Sequence, residues 1–334
     1  MNRDLAILKL MEVKGLGTKT FGQLLDRMKV TGIPPEEFIF LPVSEMAKIF
    51  GVKPAIAESI QRARTEQSRT YDEVIRHGVT VLARSNEGYP SKLAEVLKDS
   101  APPVLFVKGN LGLIEKKGVG FCGSRKASEK GLRVAHECAV ALAKENVNVV
   151  SGYAHGVDLA AHRGALEAGG VTTLVLAEGI LQFKPKQELG DLLNNASHLV
   201  LSEFPPHLTW AVHNAMRRNE TICGLSDAMI VIESGTTGGT FAAGKSALKL
   251  RRPLFVVEYA EPPVSAAGNH YFLERGAKAL RGNKDGKPNV TELLRVVREG
   301  EAFHPHEPDL FTPVGDDVEA TAVKEPSPKG NKVK

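Results

Sequence analysis

Gly239, Gly244, Lys245 and Ser246, in the run GTFAAGKS, match the phosphate-cradling pattern G-x-x-x-x-G-K-[ST] position for position. A loop of that kind must follow a strand and open a substantial helix whose N-terminus supports the phosphates. The strand is present as AMIVIE (228–233), but Arg251-Arg252-Pro253 closes the following helix early, because proline sits badly inside a helix. A helix that starts near Thr240 reaches the next strand and takes Gly244 and Lys245 into its interior, so the match reads as coincidence. No second acidic strand end offers a magnesium ligand. The anion-binding role moves to the preceding turn, SGTTGG (234–239). There Thr236, Thr237, Gly238, Gly239 and Thr240 offer amides and hydroxyls at the carboxyl edge of a sheet, with Lys245 a nearby positive charge.

Four other segments end at the same edge. Gly123-Ser124-Arg125 follows the strand GVGFC: the glycine permits close approach, the serine can cap a helix, and the arginine can fork onto a phosphate. In SGYAHGVDLAAHRGALEAGG (151–170), Ser151-Gly152 ends a strand, Gly156 allows a tight turn, and Asp158 can cap the helix that carries His162. His155 and His162 are seven apart with no third ligand nearby, which predicts structural histidines and no metal site. In LSEFPP, Ser202-Glu203 closes a strand that breaks on two prolines; in MRRNETICGLSDA, Arg217, Arg218 and Asn219 open an amphipathic helix. Glu203 and Glu233 are the only carboxylates placed at strand ends, and no Ser-His-Asp relay or paired acid and base is evident. The pattern predicts a binding pocket without catalytic residues or cofactor, not an enzyme.

Elements must hold these residues together. VTVLA (79–83), VLFVKG (104–109), GVGFCG (118–123), VNVVSG (147–152), VTTLVLA (171–177), HLVLSE (198–203), AMIVIE (228–233) and LFVVE (254–258) read as strands. They alternate with helical stretches such as 125–145. The expected fold class is α/β: a Rossmann-like parallel or mixed sheet with helices on both faces, at 110–285. A small all-α helix-hairpin-helix (SAM-like) domain precedes it at 1–68, with turns at Gly15-Leu16-Gly17 and in a degenerate second copy around Lys53. Residues 69–109 connect the two and supply the first strands. Residues 286–334 are expected to be a short helix and a Pro-rich disordered tail, with an isolated DLF at 309–311 and no winged-helix domain.

Composition bounds the setting. Of 334 residues, 42% are apolar and 25% charged, ordinary for a globular protein. Cys122, Cys138 and Cys223 suit a reducing cytosol better than a disulfide framework, and neither a cleaved signal nor a membrane span is expected. The net charge of +4 is uneven. Residues 301–334 hold seven acids and four lysines, which leaves +7 on the first 300 residues, compatible with a polyanion partner.

Taken together, Tyr89-Pro90, PPVLFVKGN, GSRKASEKG, VVSGYAHGVDLAAHRGALEAGG, LSEFPP, RRNETICGLSDAMIVIES and HYFLERGAKAL resemble, in this order, the DNA processing protein A (DprA, or Smf) family over roughly residues 1–285. The resemblance implies a Rossmann-type homodimer that binds single-stranded DNA and hands it to a RecA-type recombinase in the cytoplasm. It implies that Arg125 and the amides around Gly152 and Gly156 hold phosphate, that Arg217, Arg218 and Asn219 line the strand's path, and that the 236–240 turn closes the pocket. Tyr153, Phe204 and Trp210 are the aromatic candidates for stacking. Glu220 stands where family members carry arginine, and LQFKPKQEL (181–189) lacks their Tyr-Pro element.

Two other readings share the fold. A nucleotide-binding sensor would use the same glycine-rich turn. A nucleotide N-glycoside hydrolase would need a carboxylate soon after Gly238-Gly239-Thr240, where this chain reads Phe-Ala-Ala-Gly-Lys.

Overall fold

Alternating β-branched residues build the centre of the molecule. In a computed structural model that describes residues 1–283, 286–301 and 303–305, nine strands form one sheet in the order β1-β2-β6-β5-β4-β3-β7-β8-β9. The strands are β1 (Thr80–Ala83), β2 (Val104–Gly109), β3 (Gly118–Cys122), β4 (Asn148–Ser151), β5 (Thr172–Val175), β6 (His198–Ser202), β7 (Ala228–Val231), β8 (Leu254–Val257) and β9 (Lys278–Leu280). From β6 to β9 all neighbours are parallel; β2 pairs antiparallel with both β6 and β1.

The strand period of two sorts side chains to opposite faces. Val119, Phe121, Val149, Ile230, Phe255 and Val257 pack on one face with α8 (Glu129–Lys144), α9 (Val157–Glu167) and α14 (Thr291–Glu299). Cys122, Val150, Met229, Val231, Leu254 and Val256 pack on the other with α7 (Ser91–Leu97), α11 (Val212–Leu225), α12 (Gly238–Lys249) and α13 (Asn269–Leu273). This is the expected α/β architecture with helices on both faces.

The N-terminal part is helical: α1 (Arg3–Glu12), α2 (Thr18–Thr31), α3 (Pro35–Phe38), α4 (Val43–Phe50), α5 (Pro54–Ala63) and α6 (Arg69–Arg76). Helix thus continues past residue 68 to Arg76. Gly15-Leu16-Gly17 joins α1 to α2, and Gly51-Val52-Lys53 joins α4 to α5; the two turns line a shared cavity of about 620 Å³. The helical part packs against the sheet. Phe21, Leu25, Phe38 and Ile60 share one buried cluster with Val81, Phe106, Leu174 and Val200 of the sheet. The remaining short helix is α10 (Gln187–Gly190).

The sheet order sets the site. From β3 the chain winds outward through β4, β5 and β6, returns to β7 on the opposite side of β3, and winds outward again. The loops after β3 and β7 therefore diverge at a topological switch point, where open α/β sheets bind ligands beyond their carboxyl ends. The tail from residue 306, with the DLF at 309–311, lies outside the described residues.

Candidate nucleic-acid interface

The segment that resembles a P-loop is helix. α12 runs Gly238–Lys249, so Gly244 and Lys245 lie inside it and Gly239-to-Gly244 cannot wrap a phosphate. Gly244 is buried against the ring of Phe272, and Lys245 is exposed with Nζ 6.0 Å from the Phe241 ring centroid. The anion-binding capacity sits at the start of this helix. Its N-cap, Thr237, makes no side-chain capping bond, and Thr236, Thr237, Gly238 and Gly239 are exposed. Uncapped amides and the positive end of the helix dipole thus face the crevice.

A cavity of about 490 Å³ opens at the switch point. Its lining includes Gly123, Ser124 and Arg125 after β3, Asp158 of α9, Arg218 and Asn219 of α11, and Thr237, Gly239 and Thr240 at the start of α12. The sequence-predicted residues from four separate segments therefore meet in one place. Arg125 is exposed at the rim. Asn219 braces the glycine-rich turn by donating from Nδ2 to the Gly239 carbonyl (3.2 Å).

Arg218 forms the floor. It is buried, its Nε has no hydrogen-bond partner, and burial pulls its pKa down against the nearby Asp158 carboxylate, which favours its charge. Gly152 makes room for this pair: a Cβ there would fall 2.0 Å from Arg218 Nη1 and 2.5 Å from Asp158 Oδ2. Asp158 in turn accepts from Ser151 Oγ (3.0 Å) and the Ala154 amide (3.1 Å). Gly156, the N-cap of α9, holds φ at +82° and would otherwise collide with the Ser124 carbonyl, so only glycine suits it.

Several residues have other roles than expected. Arg217 does not line the cavity; its Nε lies 2.9 Å from Oε2 of Glu203, whose side chain is 1% exposed. Glu203 also accepts from Thr221 Oγ1 (2.8 Å), and burial pushes its pKa up against the pull of Arg217. Ser202 is buried, donating to the Glu178 carbonyl (2.6 Å) and accepting from the Phe204 amide (3.1 Å). Ser124 does not cap α8, because Ser128, four residues later, is the N-cap; Ser124 Oγ accepts from the Lys126 amide instead (3.0 Å). The helix carrying His162 is likewise capped by Gly156, with Asp158 in its first turn. Glu220 turns away from the cavity toward Lys249 (3.7 Å). Glu233 is buried and accepts from the Ser128 amide (2.8 Å) and from Ser265 Oγ (2.6 Å).

His162 is buried, with Nε2 2.6 Å from the Gly152 carbonyl and Nδ1 2.6 Å from Thr172 Oγ1. It braces the turn after β4. Among the described residues no group of three His, Cys, Asp or Glu is placed to hold a metal ion, and no helix is long and apolar enough to cross a membrane.

A second cavity, of about 440 Å³, has no direct sign in the sequence; it shares Arg125, Ala154, Trp210 and Arg218 with the first. It adds Gln182, Lys184 and Lys186 from the segment noted only for its missing Tyr-Pro, together with His155 and Glu178. Lys186 is positioned by Tyr153: its amide donates to Tyr153 Oη (2.6 Å) and its Nζ to the Tyr153 carbonyl (2.6 Å). The two cavities make one groove along the carboxyl edge, with cations on its floor and rim.

The sequence pattern of the DNA recombination-mediator protein A family matches residues 80–289, and the chain belongs to that family. The DNA processing protein DprA of Streptococcus pneumoniae is 35% identical over 199 residues, 59% of this chain and 69% of the relative. The X-ray structure of the Streptococcus pneumoniae DprA superposes with a TM-score of 0.70 at 27% identity, covering 89% of this chain and 97% of that one. The DprA of Helicobacter pylori, described for its single-stranded DNA binding mode, shares the fold with a TM-score of 0.53 at 22% identity, covering 66% of this chain and 94% of that one.

Proposed function

We propose that this chain binds single-stranded DNA in the groove at the carboxyl edge of its sheet and acts as a recombination mediator. The observation that carries this reading is the convergence of Arg125, Arg218 and Lys186 with the uncapped start of α12 in one continuous groove. A phosphodiester chain offers one negative charge per residue, and such a row of cations and amides suits it. Membership of a DNA recombination-mediator family supports the reading, as does the single-strand binding of the Helicobacter pylori protein of the same fold. The sequence resemblance extends it: the chain works as a cytoplasmic homodimer that hands the strand to a RecA-type recombinase, and the binding step itself uses no catalytic residue or cofactor.

Fluorescence anisotropy of a labelled oligothymidine, beside a matched duplex, tests the binding step. Tight binding of the single strand with weaker binding of the duplex is the expected result. Equal affinity for both would contradict the reading. Delivery to a recombinase is tested by whether the chain shortens the lag of RecA assembly on strands coated with single-strand-binding protein.

A second reading draws on the first cavity alone. Its volume of about 490 Å³ lies in the range of small-molecule sites and would hold one nucleotide. A nucleotide sensor would gain thermal stability at millimolar nucleotide through linkage. A flat melting temperature removes this reading.

A further inference from the structure

Trp210 is the only tryptophan of the chain and is 46% exposed. It lines both cavities of the groove, at their junction, with the Arg125 guanidinium 5.4 Å from its ring centroid. It has exposed apolar company: Leu208, Val212 (66% exposed) and Met216 lie within the same nine residues, and Val212 and Met216 line the first cavity. Large apolar side chains gathered at the rim of a basic groove mark a contact surface rather than chance exposure.

The ledge is held in place. The Leu208 carbonyl accepts from the Gly179 amide (2.8 Å), the His207 carbonyl accepts from Gln182 Nε2 (3.1 Å), and α11 begins at Val212. The other two aromatic candidates are already engaged: Tyr153 lines the second cavity, but the Lys186 ammonium lies 4.5 Å from its ring centroid. Phe204 is buried, and Tyr153 packs against Phe183 while its hydroxyl anchors Lys186.

Resting on the single-strand reading above, we infer that Trp210 stacks on a base of the bound strand at the junction of the two cavities, with Val212 and Met216 extending the apolar surface. The cations take the phosphates, and the bases of a single strand then need an apolar face. A duplex keeps its bases in its own stack and cannot offer one to Trp210. The contact therefore supplies preference for single strands and tolerates any base, since every base has a π-face.

The lone tryptophan reports on its own site. The full-length chain is titrated with oligothymidine and with an abasic strand of equal length, following both intrinsic tryptophan emission and the anisotropy of a label on the strand. Oligothymidine is expected to quench the emission; the abasic strand is not. Trp210→Ala should weaken oligothymidine binding by about 5- to 150-fold with an unchanged salt slope, and Trp210→Phe should recover most of the loss. Both variants should bind the abasic strand as the parent does. Tight oligothymidine binding without quenching, or a Trp210→Ala variant that binds like the parent, would overturn the stacking role and leave the groove reading standing. No binding of either strand would overturn the single-strand reading and the stacking role with it.

Discussion

Arg217 Nε lies 2.9 Å from the buried carboxylate of Glu203, so of two adjacent arginines one serves the fold and the other the groove. Successive residues on a helix point about 100° apart. Arg218 therefore turns into the cavity while Arg217 reaches the end of β6. Removing one partner of a buried pair leaves the other charge uncompensated. Arg217→Ala should cost about 1–3 kcal/mol in chemical denaturation, the lower part of the range because the arginine is half-exposed and Thr221 still bonds Glu203. The Glu203 carboxyl, already pushed up by burial, rises further without Arg217. The deficit is then largest near neutral pH and shrinks on acidification as Glu203 takes up a proton. Oligothymidine affinity should change little.

Glu178 places a carboxylate in the second cavity, where burial raises its pKa against the pull of Lys186 and Arg218. Its charge opposes a strand phosphate. Because its pKa is raised, acidification neutralises it before an ordinary glutamate. Oligothymidine affinity should increase as pH falls from neutral toward the ordinary glutamate range, and Glu178→Gln should bind a few-fold tighter at neutral pH with a flatter profile. An equally steep profile in the variant would assign the effect to another group.

His162 has a pKa lowered by burial, below the value of 6.5 of a free side chain. In the unfolded chain it gains a proton as pH falls below about 6.5, while in the folded chain it resists until lower pH. Its contribution to stability is thus complete above that value and is lost as pH falls through the window down to the folded pKa. Thermal melts from neutral to acidic pH should show this slope, and His162→Gln should flatten it while lowering stability throughout.

Lys245 is exposed on α12 and does not line either cavity. Lys245→Ala should leave oligothymidine affinity within about twofold, since an exposed charge outside the groove is largely screened at physiological salt. A loss comparable to that of Arg218→Ala would place the lysine on the strand's path.

Most of the sheet was legible because β-branched runs such as VNVV and AMIVI need a pleated, buried setting. Strand β9 was not: Lys-Ala-Leu carries no such run, and its pairing with β8 alone makes it a strand. The meeting of the GSR loop, Asp158, Arg218 and the 234–240 turn could be read from strand ends, because parallel strands bring their carboxyl ends to one edge. What could not be read was direction. Nothing in RRNE says that Arg217 pairs with Glu203 or that Glu220 turns to Lys249; those outcomes depend on what α11 packs against. Lys186 escaped notice for the same reason, as it reaches the groove only through its bonds to Tyr153.

If Arg125 and Arg218 hold a single strand through its phosphates, binding must release counterions in proportion. The most direct measurement is the salt dependence of oligothymidine affinity for the parent chain, Arg125→Ala and Arg218→Ala. Affinity should fall linearly on a log–log plot, and each substitution should weaken binding and reduce the slope by about one. The same slope and the same affinity in parent and variants would remove both arginines from the strand's path.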